Sequence, residues 1–190
     1  MEFSEKTLQG VADKGSTKAA KAFSTIAKTD VDVSTSVVKT ILFKDLIKTI
    51  TPTKEHSIVV YAQAMTGDGV SILTMSREDA LMLVDLLNQQ AVGTTGILKD
   101  IDRSAIKETL NILSNSYVNA LSEDANIELT VDVPAMIISN RLSSILETSL
   151  KDPKDKAVVF ESTLSISQYE LKTSLYLIFN KELGELIKNK

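Results

Sequence analysis

Apolar positions along this chain follow two alternating rhythms, and the same order of rhythms occurs twice. Between Asp102 and about Glu123, the residues Ile106, Leu110, Leu113, Tyr117 and Leu121 recur at spacings of three and four, which is one buried stripe of an amphipathic helix. About a hundred positions earlier, Leu8, Ala12, Gly15, Ala19 and Phe23 keep that spacing with smaller side chains, predicting a helix over about 3–27. A strand, a short helical piece, a hairpin and a further helix follow each of these. In the first copy they span about 30–38, Phe43–Ile50, 57–65 with 69–75, and 77–90. In the second they span about 126–133, 139–150, 156–165 with 170–179, and a last helix from about 181. Val31 and Val33 answer Leu129 and Val131 in this register.

Turn and cap chemistry supports these divisions. Thr66-Gly67-Asp68-Gly69 supplies two glycines free to take positive φ, flanked by Val59-Val60-Tyr61 and Val70-Ser71-Ile72-Leu73, a hairpin pattern. Ser76 with Asp79 three residues on marks a capped helix start, and Asn180 is placed to cap the final helix. Gly93-Thr94-Thr95-Gly96 separates the halves. Helices alternating with an excess of hairpin strands predict an α+β fold with an internal pseudo-two-fold duplication. Two long helices would pack together on one face of a mixed or antiparallel sheet. Neither half covers its own apolar surface, so residues 1–190 are expected to form one domain of two repeats, about 1–92 and 97–190.

Composition narrows the function. A chain of 190 residues with 43% hydrophobic content can bury a full core. A net charge of -4 and a pI near 5.1 argue against nucleic acid or an anionic membrane as partner, since both need a dense Lys/Arg surface. The absence of cysteine excludes disulfides, thiolate metal sites and a cysteine nucleophile. Met-Glu-Phe-Ser-Glu starts the chain without a basic region and apolar run, and no segment approaches bilayer-spanning length, so a cytoplasmic protein is expected.

One helix face stands out chemically. Ser104, Glu108, Asn111 and Asn115 project within a narrow arc on the far side of the second helix from its apolar stripe. Solvated faces usually mix Lys with Glu; this row has one carboxylate, two carboxamides, a hydroxyl and no cation. Elsewhere, His56 is the only histidine and sits in a polar stretch as a solvated loop residue. Met65, Met75 and Met82 fit core filling, and Lys151-Asp-Pro-Lys-Asp-Lys156 fits a solvated connection. Neither a Ser/His/Asp set nor a phosphate-cradling glycine loop is present.

Ser104-x3-Glu108-x2-Asn111, with twenty-two residues between Asn111 and Pro134, resembles the motif of the CheC, CheX and FliY chemotaxis phosphatases. The duplicated layout is similar to the CheC branch. The resemblance implies hydrolysis of the aspartyl phosphate on the response regulator CheY, with Asn111 orienting the attacking water and Glu108 pairing with a lysine of the regulator. It places Ser104 and Asn115 as partner contacts and Pro134 as a structural residue ending the strand after the helix. No cofactor is expected in this chain, and the Mg²⁺ that neutralises the phosphoryl oxygens would belong to the regulator. A carboxamide suits the task because it can accept from and donate to water while staying neutral beside a phosphoryl group.

The first half departs from the motif. Glu108 corresponds to Gly10, Asn111 to Asp13, Ser104 to Lys6 and Pro134 to Ser36, while Lys14, Lys18 and Lys21 lie on the same outward side. That face is expected neither to dock the same partner nor to hydrolyse phosphate. The alternative for the whole chain is a non-catalytic adaptor that binds phosphorylated CheY or the receptor deamidase CheD. A third option is a switch component similar to the FliM middle domain, a relative that generally lacks the Glu/Asn pair.

Overall fold

The computed structural model describes residues 5–34, 37–50, 57–63, 69–126, 128–138, 146 and 156–180. The helix α1 runs over Glu5–Ala27 and is followed by the strands β1 (Asp32–Val33) and β2 (Val37–Leu42) and the helix α2 (Phe43–Ile50). The hairpin strands β3 (Ser57–Gln63) and β4 (Gly69–Ser76) lead to α3 (Arg77–Leu87) and then α4 (Asp100–Ala125). The chain continues through β5 (Ala135–Ile138), β6 (Lys156–Ile166), a 3₁₀ turn at Ser167–Tyr169 and β7 (Leu171–Asn180).

These strands form one seven-stranded sheet in the order β1-β6-β7-β4-β3-β5, with β2 also on β6, and every described pairing is antiparallel. Sequence order places β6–β7 and β3–β4 as hairpins, but each outer strand comes from the other half: β2 pairs with β6 and β5 with β3. The central seam is β4 against β7, from Gly69↔Phe179 to Met75↔Thr173.

Alternating side chains divide the sheet's residues between two cores. Val60, Leu73, Phe160, Leu175 and Leu177 meet α1, α3 and α4 on one face. Val59, Ile72, Val159 and Ile178 meet Phe43, Leu46 and Ile50 of α2, together with Leu146, on the other. Burial on both faces fits strands that do not alternate cleanly: β4 is buried from Gly69 to Met75, and β7 carries the continuous apolar run Leu175–Phe179. Both predicted stripes are buried: Ile106, Leu110, Leu113, Tyr117 and Leu121 on α4, and Leu8, Ala12, Gly15, Ala19 and Phe23 on α1. The two long helices pack against each other at Gly15, where a Cβ would lie 2.5 Å from the Tyr117 ring.

The same local device ends both helices. Lys28 (φ 52) and Asn126 (φ 50) adopt the left-handed conformation 98 positions apart. Ser24 Oγ accepts from the Val31 amide at 3.0 Å, and Ser122 Oγ accepts from the Leu129 amide at 3.3 Å, again 98 positions apart.

Two strand expectations need correction. The strand predicted over 30–38 is an interrupted edge strand whose longer part, β2, extends to Leu42; its register on β6 shifts by one residue after β1. Among the described residues of 126–133 the predicted strand is reduced to a single bridge at Val131, and the ladder on β3 begins only at Ala135. Leu129 and Val131 do turn inward, but the Leu129 amide is taken by Ser122 Oγ and the Val133 amide by Asp132 Oδ1 at 2.7 Å, which leaves neither donor for a ladder. The capping box of Ser76 and Asp79 is present at the start of α3. The turn at 66–68, His56, Met65, the helical piece over 139–150 apart from Leu146, and the last helix lie outside the described residues. No described helix is long and apolar enough to cross a membrane.

Candidate functional site

The start of α4 is fixed from both sides. Asp85, fully buried on α3, accepts from the amides of Gly93 (2.8 Å), Thr94 (3.0 Å) and Thr95 (2.9 Å), so the segment between the halves is anchored and not a loose spacer. Asp102 then accepts from the Lys99 amide at 2.8 Å and closes the first turn. With its apolar face held by α1 and the sheet, α4 turns its opposite face outward.

Along that row Ser104 and Glu108 are exposed, and Asn111 and Asn115 are half-buried. The expectation of a fully outward row is therefore corrected for the two carboxamides. Ser104 Oγ donates to the Asp100 carbonyl at 2.9 Å, so its hydroxyl offers a partner only acceptor capacity. Asn111 Nδ2 donates to Glu108 Oε2 at 3.4 Å. Asn115 Nδ2 donates both to the Asn111 carbonyl (2.8 Å) and to Asn111 Oδ1 (2.9 Å). The three side chains form one hydrogen-bonded line.

Neutral water could be held at Asn111 by what that line leaves over: one Nδ2 hydrogen and one lone pair on Oδ1. Glu108, one turn away and open to solvent, can receive a cation. Among the described residues no group of three or more His, Asp or Glu side chains is arranged to hold a metal ion.

Two apolar side chains that sequence reasoning did not single out lie beside the row. Ile101 is 74% exposed at the same helical azimuth as Glu108, and Ile97, also 74% exposed, precedes it. They border an open depression of about 530 Å³ that is also lined by Asn88, Thr95 and Lys99. Their signal in the sequence is an isoleucine four residues from another across a helix start, which reads equally well as a buried staple.

Pro134 is half-buried and stands immediately before the first residue of β5, opposite Tyr61 on β3 through Ala135. It opens a strand instead of ending one, a position where its missing N–H costs no ladder bond. On α1 the matching face carries exposed Gly10, Asp13, Lys14, Lys18 and Lys21. Asp13 Oδ1 accepts from Gln9 at 3.0 Å, and Lys18 is engaged with Glu123 of α4 at 2.6 Å, so that cation is turned toward the neighbouring helix. The Lys6 side chain and Ser36 lie outside the described residues.

This geometry belongs to a known architecture: the chain has a CheC/CheX/FliY-like fold. It is similar to FliY of Thermotoga maritima, with a TM-score of 0.76 and 19% identity over 96% of this chain and 92% of that one. The FliM middle domain of Vibrio alginolyticus matches with a TM-score of 0.69 and 14% identity over 96% and 98%. The chemotaxis protein CheX of Desulfovibrio desulfuricans matches with a TM-score of 0.54 and 16% identity over 88% and 97%. No protein-family model matches the chain.

Proposed function

We propose that the chain is a cytoplasmic phosphatase of a phosphorylated response regulator of the CheY type, with one working site on α4. The observation that carries this reading is the Glu108–Asn111 pair, a carboxylate and a carboxamide joined at 3.4 Å on an accessible helix face with exposed Ile101 about two turns upstream of Glu108. The regulator would dock along the row, Glu108 pairing with a lysine at its phosphorylation site. Asn111 Oδ1 would accept a hydrogen from one water and so aim the water's lone pair at phosphorus, in line with the aspartyl oxygen. The P–O bond to the aspartyl carboxylate breaks as the P–O bond to water forms, releasing a carboxylate and inorganic phosphate that carries the water's protons. Mg²⁺ on the regulator would neutralise the phosphoryl oxygens. Ser104 contributes acceptor contacts at the edge, Pro134 shapes the nearby surface, and the α1 face is structural.

The lifetime of the phosphorylated regulator, measured with and without this protein, tests the reading. Asn111→Ala is expected to lower turnover roughly 10²-fold with docking retained, the scale of losing an oriented reactant. Glu108→Lys is expected to abolish docking. Full turnover in Asn111→Ala would refute the assignment.

A second reading has its own observation: FliM middle domains match this chain with TM-scores of 0.69 and 0.70 against 0.54 for CheX, and that of Helicobacter pylori was solved in a complex with FliG. The chain would then be an adaptor, binding a phosphorylated regulator or another motility protein such as CheD without hydrolysis. A regulator that stays bound and phosphorylated would favour this.

A further inference from the structure

The Asn115 side chain lies one turn beyond the proposed water-positioning amide and meets it at two points. Its Nδ2 donates to the Asn111 backbone carbonyl at 2.8 Å and to Asn111 Oδ1 at 2.9 Å. A backbone carbonyl is an acceptor and cannot be anything else, so it settles which end of the Asn115 amide faces Asn111: the NH₂ end. That NH₂ in turn requires an acceptor from Asn111, which turns Oδ1 toward it and Nδ2 toward the Glu108 carboxylate. A flipped Asn111 would set NH₂ against NH₂ at one end and oxygen against carboxylate at the other. Polarity is thus passed from the helix backbone through Asn115 to the group proposed to hold water.

We infer that Asn115 is a positioning residue that fixes the orientation of the Asn111 carboxamide, not a contact for the partner. This rests on the phosphatase reading for its consequence in turnover, while the orientation itself is independent of that reading. A carboxamide on an open helix face would otherwise rotate about χ2 among several orientations and present oxygen to the water only part of the time. With Asn115 in place, Oδ1 accepts one hydrogen from Asn115 and keeps a second lone pair for another donor. Asn115 needs no contact with the reacting atoms to do this.

The experiment uses the full chain and two arms. In the first, Asn115→Leu, which keeps approximate shape and removes the donor, is compared with wild type for turnover and for affinity toward the regulator carrying a beryllofluoride phosphoryl mimic. Turnover is expected to fall roughly tenfold or more with affinity unchanged within about twofold, since misorientation harms the aligned geometry and not docking. In an Asn111→Ala background the same substitution is expected to have no further effect. Loss of affinity, or an equal additional loss in the Asn111→Ala background, would overturn the inference in favour of direct contact or general structure. In the second arm, NMR follows the Asn111 side-chain amide, assigned by its absence in Asn111→Ala. Backbone-like order of that amide in wild type, lost in Asn115→Leu, is the expected result; an amide equally mobile in both would refute the positioning role. If wild type lacks turnover altogether, the phosphatase reading fails and the second arm still decides the orientation.

Discussion

Two glycines on α1, five residues apart, should answer the same substitution with opposite signs. A Cβ on Gly15 would lie 2.5 Å from both Cδ1 and Cε1 of Tyr117 and 2.9 Å from Cγ, well inside the ordinary carbon contact of about 3.5–4.0 Å. Tyr117 is fully buried and its ring meets Phe160 edge-on at 6.0 Å between centroids, so it has no room to withdraw. Overpacking of this kind costs roughly 1–3 kcal/mol. With three ring atoms in conflict the upper end applies, and the helix-propensity gain of about 1 kcal/mol for alanine leaves a net loss of about 2 kcal/mol. Around Gly10 a Cβ would meet nothing within 4 Å, so Gly10→Ala should stabilise by about 0.5–1 kcal/mol through propensity alone. Urea unfolding followed by circular dichroism reads the difference directly. In thermal melts Gly15→Ala should lower Tm by about 4–8 °C, and Gly10→Ala should raise it slightly. In a Tyr117→Leu background the Gly15→Ala penalty should shrink by about 1–2 kcal/mol. Equal shifts of the same sign at both positions, or an undiminished penalty in the Tyr117→Leu background, would refute the close helix contact as the reason for Gly15.

Removing the Asp85 carboxylate in Asp85→Ala takes away the acceptor for three amides and should cost about 2–3 kcal/mol, with amide hydrogen exchange accelerating first at Gly93, Thr94 and Thr95. Uniform protection at those amides would count against the anchor. Tyr176 has its pKa raised above 10.0 by burial and by the charge of Glu161. The folded state therefore holds this proton to higher pH than the unfolded chain, so the associated stability is present below pH 10 and is lost as pH rises beyond it. Chemical denaturation at pH 9 and pH 11 should show a smaller alkaline loss in Tyr176→Phe than in wild type.

Much of the architecture is legible in the amino-acid order because burial is nearly complete where the periodicity is clear. The stripes on α1 and α4 repeat at helical spacing and are buried at every predicted position, and α2 occupies Phe43–Ile50 as expected. The strand expected directly after α4 starts later for a physical reason: Leu129 and Val131 alternate like strand residues and are drawn inward, yet a serine hydroxyl takes the Leu129 amide. Hydrophobic alternation reports burial and is silent on where backbone donors go. Asp85 hides for a related reason, since a carboxylate on a helix ordinarily signals solvent, and here its partners are three amides from a loop eight to ten residues on. Glu108 and Asn111 are adjacent in the structure, as a three-residue helical spacing demands. What spacing alone does not disclose is the direction of each carboxamide, which depends on the backbone carbonyl that Asn115 also meets.

The exchange of outer strands gives the first half a structural duty of its own. Because β5 lies along β3 and β2 along β6, each hairpin borrows a flank from the opposite half. Changes on the outward face of α1 leave these ladders intact, whereas losing β1 and β2 would bare the outer margin of β6. In this pairing pattern the first half serves as masonry for the second, and its shape is constrained whether or not its helix carries chemistry.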